Sequence, residues 1–337
     1  MNRPVSLARL LVLVLAALAA GGCGKSKVLR YAHSNALSDV PGQYADLLAR
    51  LVAEKTAGAV RIEVYPASQL GGVREMIEGA QLGIIDMGHY SFAAMSSFVP
   101  EIAVFNFPYL YESVDHALAA TDPVRSPVAL ELNARLIERS NLRMLGSYFF
   151  GVRRLTTADF PVYRPADLRG RRIRAIPLPV WIAMIEGMGA IATPVDFSEL
   201  PTALATGVVE GQENPVTAIY SARIHETQQY LILTDHMIDI NLVYINNETF
   251  ASLEPEHREA LLDAHREAAA AVRTVAEELG ASLVEKLAAV GLHVISPENG
   301  LDIGAFRSAV TSHVSRTFPQ WEPYIDRIKA AAPPAAH

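Results

Sequence analysis

Val28–Tyr65 reads VLRYAHSNALSDVPGQYADLLARLVAEKTAGAVRIEVY, and the change of hydrophobic period inside it decides the fold class. Val28–Ala32 is an apolar run of strand length. Pro41–Lys55 then places Tyr44, Leu47, Leu48, Leu51 and Val52 on one face of a helix. Val60–Tyr65 alternates as a second strand, and Pro66 ends it. Downstream the same rhythm continues. The spacing predicts helices over Val73–Leu82 and Ser126–Glu138, and strands over Ile84–Met87, Ala103–Phe107, Leu142–Phe150 and Arg172–Ile176. Repeated strand–helix units of this kind predict α/β layers with mostly parallel sheets.

Glu254–Val290 breaks the rhythm. It is one long helical stretch rich in Ala, Glu, Leu and Arg, with Gly280 as its only mid-course break. At 1.5 Å per residue it would run about 55 Å, longer than a small domain is wide. Such a helix could brace two lobes, bending at Gly280; two ordinary helices divided at Gly280 are the other reading.

Both ends of the chain read as something other than folded core. Met1–Arg9 carries Arg3 and Arg9 and no acid, and Leu10–Gly22 is a run of apolar and small residues. That run is shorter than the roughly 20 apolar residues a bilayer span needs, and it fits a secretory signal peptide over residues 1–22. Cys23, the only cysteine, follows Ala19-Ala20-Gly21-Gly22 directly. The placement predicts a lipoprotein signal, with Cys23 lipidated and residues 23–27 as a tether. Ala20 stands at the −3 position, where Leu is commonest; an ordinary secretory signal with an incidental thiol is the alternative. Residues 331–337, Pro- and Ala-rich, read as a disordered tail.

A lone cysteine leaves no internal disulfide, so stability must come from burial. The formal net charge is −7, and loss of Arg3 and Arg9 would make the chain more acidic still. That balance argues against nucleic acid as a partner and against a basic membrane-binding surface. The length left after residues 1–22 suggests two lobes rather than one core.

Enzyme motifs are missing: the chain contains no HExxH, GxSxG, Walker A loop or CxxC. Gly187-Met188-Gly189-Ala190-Ile191-Ala192 mimics a dinucleotide fingerprint, but it follows an apparent helix over Val180–Glu186, so a glycine there reads as a helix C-cap. His257 and His265, eight residues apart on a polar helix, read as a solvated face rather than a metal site. No cofactor and no metal is expected.

What remains suits an anion. Arg172 and Arg174 share one face of a strand, because side chains alternate with period two. A guanidinium pairs bidentately with a carboxylate as a lysine cannot. Arg171 and Arg172 read as surface salt-bridge residues, while Arg174 is open to either role. Glu210-Gly211-Gln212-Glu213-Asn214-Pro215 reads as a polar turn before a helix, with Asn214 as N-cap and Pro215 in the first turn. A helix start can attract an anion or can simply be capped.

At these residues the chain resembles the substrate-binding proteins of tripartite ATP-independent periplasmic (TRAP) transporters, of the DctP type. The likeness runs from about Val28 to about Ser296. It is carried by Val64-Tyr65-Pro66-Ala67-Ser68-Gln69-Leu70-Gly71, then Gly151-Val152-Arg153-Arg154-Leu155-Thr156, then Leu168-Arg169-Gly170-Arg171-Arg172-Ile173-Arg174. Gly189-Ala190 with Pro194, and Val209-Glu210-Gly211-Gln212-Glu213-Asn214-Pro215, complete it in the family's order.

The resemblance implies an α/β, two-lobed periplasmic-binding-protein fold with crossing strands and a long bracing helix. Lobe I would comprise residues 28–150 and 240–278, and lobe II residues 151–239 and 279–330. The lobes would close over a small organic carboxylate paired with Arg174. Arg153 matches a second arginine that lines the site, Asn214 a ligand-contacting asparagine, and Phe197 an aromatic wall. Tyr90 and Ser91 fall where members differ by substrate; sialic-acid binders carry an acid near Ser91, which argues against that ligand. Trp181, seven residues past Arg174, either covers the ligand or is an apolar helix-face residue. The implied partners are the small and large membrane subunits of a TRAP transporter, reached in the periplasm from a lipid anchor. A sensory protein docking on a signalling receptor is the alternative class, and a lyase or hydrolase acting on acids lacks an acid/base constellation. C4-dicarboxylates, 2-oxo acids, hydroxy acids, uronates and aromatic acids all stay open.

Overall fold

The structure, a computed structural model, describes residues 26–331. The expected signal peptide, Cys23 and residues 332–337 lie outside them. Lys27, assigned above to the tether, instead opens the first strand, donating its N–H to the Ala59 carbonyl at 2.8 Å.

Nine strands among the described residues form one sheet. They are β1 (Lys27–Ala32), β2 (Val60–Tyr65), β3 (Met87–Ser91), β4 (Leu142–Thr157), β5 (Arg172–Ala175), β6 (Ile191–Pro194), β7 (Gly211–Pro215), β8 (Tyr230–Asn246) and β9 (His293–Ile295). Their order is β2-β1-β3-β8-β4-β7-β5-β6, with β9 beside β8. The flanks are parallel, as the strand–helix rhythm predicts: β1 with β2 and β3, β5 with β6 and β7, and β8 with β9. The centre is not. β4 and β8 pair antiparallel from Leu142↔Asn246 to Thr157↔Tyr230, so the mostly parallel expectation fails where the two longest strands meet.

These two strands cross from one half of the molecule to the other. The Asn241–Ile245 part of β8 pairs with β3, and its Tyr230–Ile232 part pairs with β9. The Arg153–Thr157 end of β4 pairs with β7. Between the halves the β4–β8 register slips at Phe149/Gly151 and again at Arg153/Leu155. Gly151 has φ 154°, and a Cβ there would lie 2.8 Å from the Pro215 Cβ, so only glycine lets β7 pass this closely. Bulges of this kind bend a strand and increase its twist, which turns each half of the sheet away from the other.

Helices cover the sheet. Val40–Lys55 starts at Asp39, whose carboxylate accepts from the Val40 N–H, and buries Tyr44, Leu48, Leu51 and Val52 as its spacing predicts. Pro255–Ala289 is a single helix of 35 residues that continues through Gly280, resolving the choice left open by its sequence. Its inner face is Leu261, Ala264, His265, Ala268, Val272 and Ala276. His265 is therefore buried against the sheet, not solvated: Tyr44 Oη lies 2.6 Å from its Nδ1. His257 stays near the surface beside Glu256.

Two short strand assignments also give way. Ile84 and Ile85 N–H groups bond back to the Gly79 carbonyl, ending the preceding helix, and the strand begins only at Met87. Pro100–Asn106 winds as a 3₁₀ helix in place of a strand at Ala103–Phe107; a short buried apolar run has no period to separate the two. Pro179–Gly187 is helical, and Gly189 follows it at φ 93°, the helix-ending role expected in place of a dinucleotide fingerprint.

Candidate functional site

Where the crossing strands separate the two halves of the sheet, the polar ends of β1, β3, β5 and β7 converge on a cavity of about 420 Å³, measured out to its mouth. Arg174, Arg153, Asn214, Phe197, Ser91, Tyr90 and Trp181, drawn from distant parts of the chain, all line it.

Arg174 is the unusual member. β5 carries Arg172 at its outer end, exposed and tied to Glu210 and to the Gly207 and Val208 carbonyls. Arg171 also pairs with Glu210, at 2.9 Å, so both have the surface roles expected of them. Two residues deeper on the same face, Arg174 is only 1% exposed. Its Nε donates to the Val195 carbonyl at 2.8 Å, and neither Nη has a hydrogen-bond partner among the described residues. Burial pulls this guanidinium below its ordinary pKa, with Tyr90 and Glu213 opposing the shift. A buried cationic fork without acceptors is costly unless an anion meets it.

Arg153 is different. It too is buried in the cavity wall, but its Nε and Nη2 donate to the Glu213 carboxylate and its Nη1 to Asp239 Oδ2 at 2.6 Å. Nη2 also reaches Asn214 Oδ1 at 3.0 Å, and the guanidinium lies 5.7 Å from the Trp181 ring centre. His236 Nε2 is 3.0 Å from Glu213 and its Nδ1 is 2.8 Å from the Thr234 hydroxyl. Burial alone would raise the Glu213 carboxyl, but Arg153 and His236 outweigh it and hold it at about 2. Burial pushes the Asp239 carboxyl up, against the opposing pull of Arg153. With two acids on one cation, Arg153 organises the wall and has little charge left for a newcomer.

The segment read as a polar turn is strand β7, and its residues are all buried. Asn214 is not an N-cap: its Nδ2 donates to Gln212 Oε1, and the helix over Val216–Ser221 starts behind Pro215. The polar side chains there are satisfied inside the sheet and not by a helix start: Gln212 donates to the Thr156 hydroxyl, Asn214 accepts from Arg153, and Glu213 meets Arg153 and His236. Trp181 is fully buried and lines the cavity, yet its Nε1 has no partner among the described residues.

Other lining residues went unread in the sequence: Asp239 and Asn241 of β8, Phe150 of β4, and Ser34, Asn35 and Ile176 in loops. For two of them a signal existed. Asp239 and Asn241 stand two apart in the otherwise apolar Met237–Ile245, which puts both on one face of a strand. Buried polar residues in such a register ask for partners, and here they face the cavity.

Residues 31–320 match the family described as bacterial extracellular solute-binding protein, family 7 (DctP). The 2,3-diketo-L-gulonate-binding periplasmic protein YiaO of Escherichia coli K12 is 32% identical over 306 residues, 90% of each chain. Among solved structures, a TRAP periplasmic solute-binding protein from Bordetella, with density assigned to pantoate, superposes with TM-score 0.83 at 30% identity. That match covers 91% of this chain and all of the other. Another from Roseobacter denitrificans, with bound L-galactonate, has TM-score 0.82 at 27% identity, covering 90% of this chain and 98% of the other.

Proposed function

Because the chain belongs to family 7 of the bacterial extracellular solute-binding proteins, the DctP-type receptors of TRAP transporters, we propose that its cavity captures a small organic carboxylate through Arg174 and delivers it to the transporter's small and large membrane subunits. One observation carries the assignment of the site: a buried guanidinium whose two Nη groups find no acceptor in the protein. A carboxylate supplies two oxygens at the spacing of that fork. Asn214, Phe197, Trp181, Tyr90 and Ser91 shape the space around it, and Arg153 stiffens the wall. The related proteins are described as solute-binding proteins, which supports a receptor rather than an enzyme, and no observation favours a sensory role.

The lobes would be residues 28–150 with 240–278 and residues 151–239 with 279–330, hinged where β4 and β8 slip register and braced by the Pro255–Ala289 helix. Ligand closes them without chemistry. Saturation at a hundred times the dissociation constant adds about 2.7 kcal/mol to the folded state. For a chain of this size that corresponds to roughly 2–4 °C of melting temperature per kcal/mol. Differential scanning fluorimetry is expected to show a rise of several degrees, small-angle scattering a smaller radius of gyration, and mass spectrometry the ligand unchanged after long incubation. Turnover of the bound acid would defeat the receptor reading; unchanged scattering at saturation would defeat the closure.

We further propose that residues 1–22 direct export and that Cys23 holds the protein to a membrane by lipid. Among the described residues no helix is long and apolar enough to cross one. Cys23→Ser is expected to move the protein from the membrane fraction to the soluble periplasmic fraction. A wild-type protein already soluble, or one whose mature chain does not begin at Cys23, would refute the anchor.

A further inference from the structure

Given that the cavity holds a carboxylate, its remaining polar atoms bear on which one. Some groups of lining residues only donate: the two Nη groups of Arg174 and the indole N–H of Trp181, all buried without partners among the described residues. Elsewhere in the wall the chemistry reverses. Asp239 Oδ2 is held by Arg153, but Asp239 Oδ1 is buried with no partner, and so is Ser91 Oγ. An ionised carboxylate oxygen accepts and never donates, while a serine hydroxyl does either. Arg153 cannot neutralise a second ligand anion, because its charge is already shared between Glu213 and Asp239. Among the described residues the cavity thus offers one free cation and, apart from it, an unmatched carboxylate oxygen.

We propose that the ligand is a hydroxylated monocarboxylate, its carboxylate on Arg174 and Trp181 and a hydroxyl donating to Asp239 Oδ1, and that the cavity rejects dicarboxylates. A second carboxylate would set acceptor against acceptor and like charge against like charge, which is discrimination by repulsion. A monocarboxylate without the hydroxyl leaves Asp239 Oδ1 buried and unpaired, a mismatch that buried sites penalise heavily. Ser91 is placed to take a second hydroxyl.

The test is calorimetry on the full-length mature protein, stripped of retained ligand, with L-galactonate, pantoate, butyrate and succinate as probes. A hydroxy acid is expected to bind at least about a hundredfold tighter than succinate or butyrate. Asp239→Asn, which removes the charge and supplies an N–H donor, is expected to narrow the gap to succinate by tenfold or more. Ser91→Ala leaves the Arg153 pairs untouched and is expected to weaken the hydroxy acid several-fold while leaving butyrate unchanged. Succinate binding within tenfold of the best hydroxy acid overturns this inference and leaves the receptor reading standing. Binding that survives Arg174→Ala, or no binding by any of the four, overturns the receptor reading and this inference with it.

Discussion

Replacing Arg174 with alanine is expected to weaken ligand binding by roughly thirtyfold to a few thousandfold, the 2–5 kcal/mol cost of truncating one member of a desolvated charge pair. The same change is expected to leave the ligand-free fold intact. In the protein alone, Arg174 makes one hydrogen bond to Val195 and buries two Nη groups without acceptors. Removing an unpaired buried charge relieves a desolvation cost. Arg174→Met, which keeps most of the volume, is therefore expected to melt no lower than the wild type without ligand, while failing to respond to it. Arg174→Lys separates charge from geometry, since a lysine keeps the cation and loses the planar fork. Calorimetry and thermal melting on the three variants check this together. Near-normal affinity in Arg174→Lys would reject the bidentate pairing, and a large loss of ligand-free stability in Arg174→Met would assign the residue to structure instead.

Acidification between pH 6.5 and about 4 is expected to destabilise the fold, through histidines buried in the neutral form. His33 and His265 are both lowered to about 4 by burial, and His89 is lowered by burial and then by His33, whose ring stacks on it at 4.8 Å. The unfolded chain takes up these protons near pH 6.5, and the folded chain only near 4. Within that window the unfolded state binds more protons, so stability falls as pH falls. Each of the first two groups contributes about 3 kcal/mol across the window. Asp39 acts in the opposite sense. Burial raises it to about 6, so the fold gains stability as pH drops from there toward 3.8. Glu213, held at about 2, adds its loss only below about pH 4.5. Asp239, also pushed up by burial, acts in the same sense as Asp39. With three imidazoles against two carboxyls, the net expectation is a loss of a few kcal/mol between pH 7 and 4.5. Urea midpoints across that range measure it, and a flat profile would show that these histidines are reached by protons in the folded state.

Much of the fold was readable from period. The strands at Val28–Ala32 and Val60–Tyr65 and the helix between them lie within a residue of their expected places, because each buries one face against a neighbour. The longest strand gave no such warning. Most residues of Tyr230–Asn246 are buried, on both faces, so apart from Asp239 and Asn241 there is little alternation to detect. The antiparallel centre of the sheet went unseen for the same reason. His265 was misplaced because an Ala-rich helix shows weak contrast between its faces, and only the packing of Ala264 and Ala268 against the sheet shows which one is buried.

Residue chemistry and local pattern were enough for the mixed α/β class, for many of the helices and flank strands, and for an arginine at 174 suited to an anion, while Arg153, Phe197, Tyr90 and Ser91 entered only through the family resemblance. The division of labour between the two arginines was not legible in the sequence. Arg153 and Arg174 look alike in sequence, and what separates them is the arrival of Glu213 from β7 and Asp239 from β8, 60 and 86 residues away from Arg153. Ion pairing depends on distance through space, and strand order sets that distance. Only the assembled sheet leaves one guanidinium neutralised and the other buried in the cavity wall with two Nη groups unpartnered among the described residues.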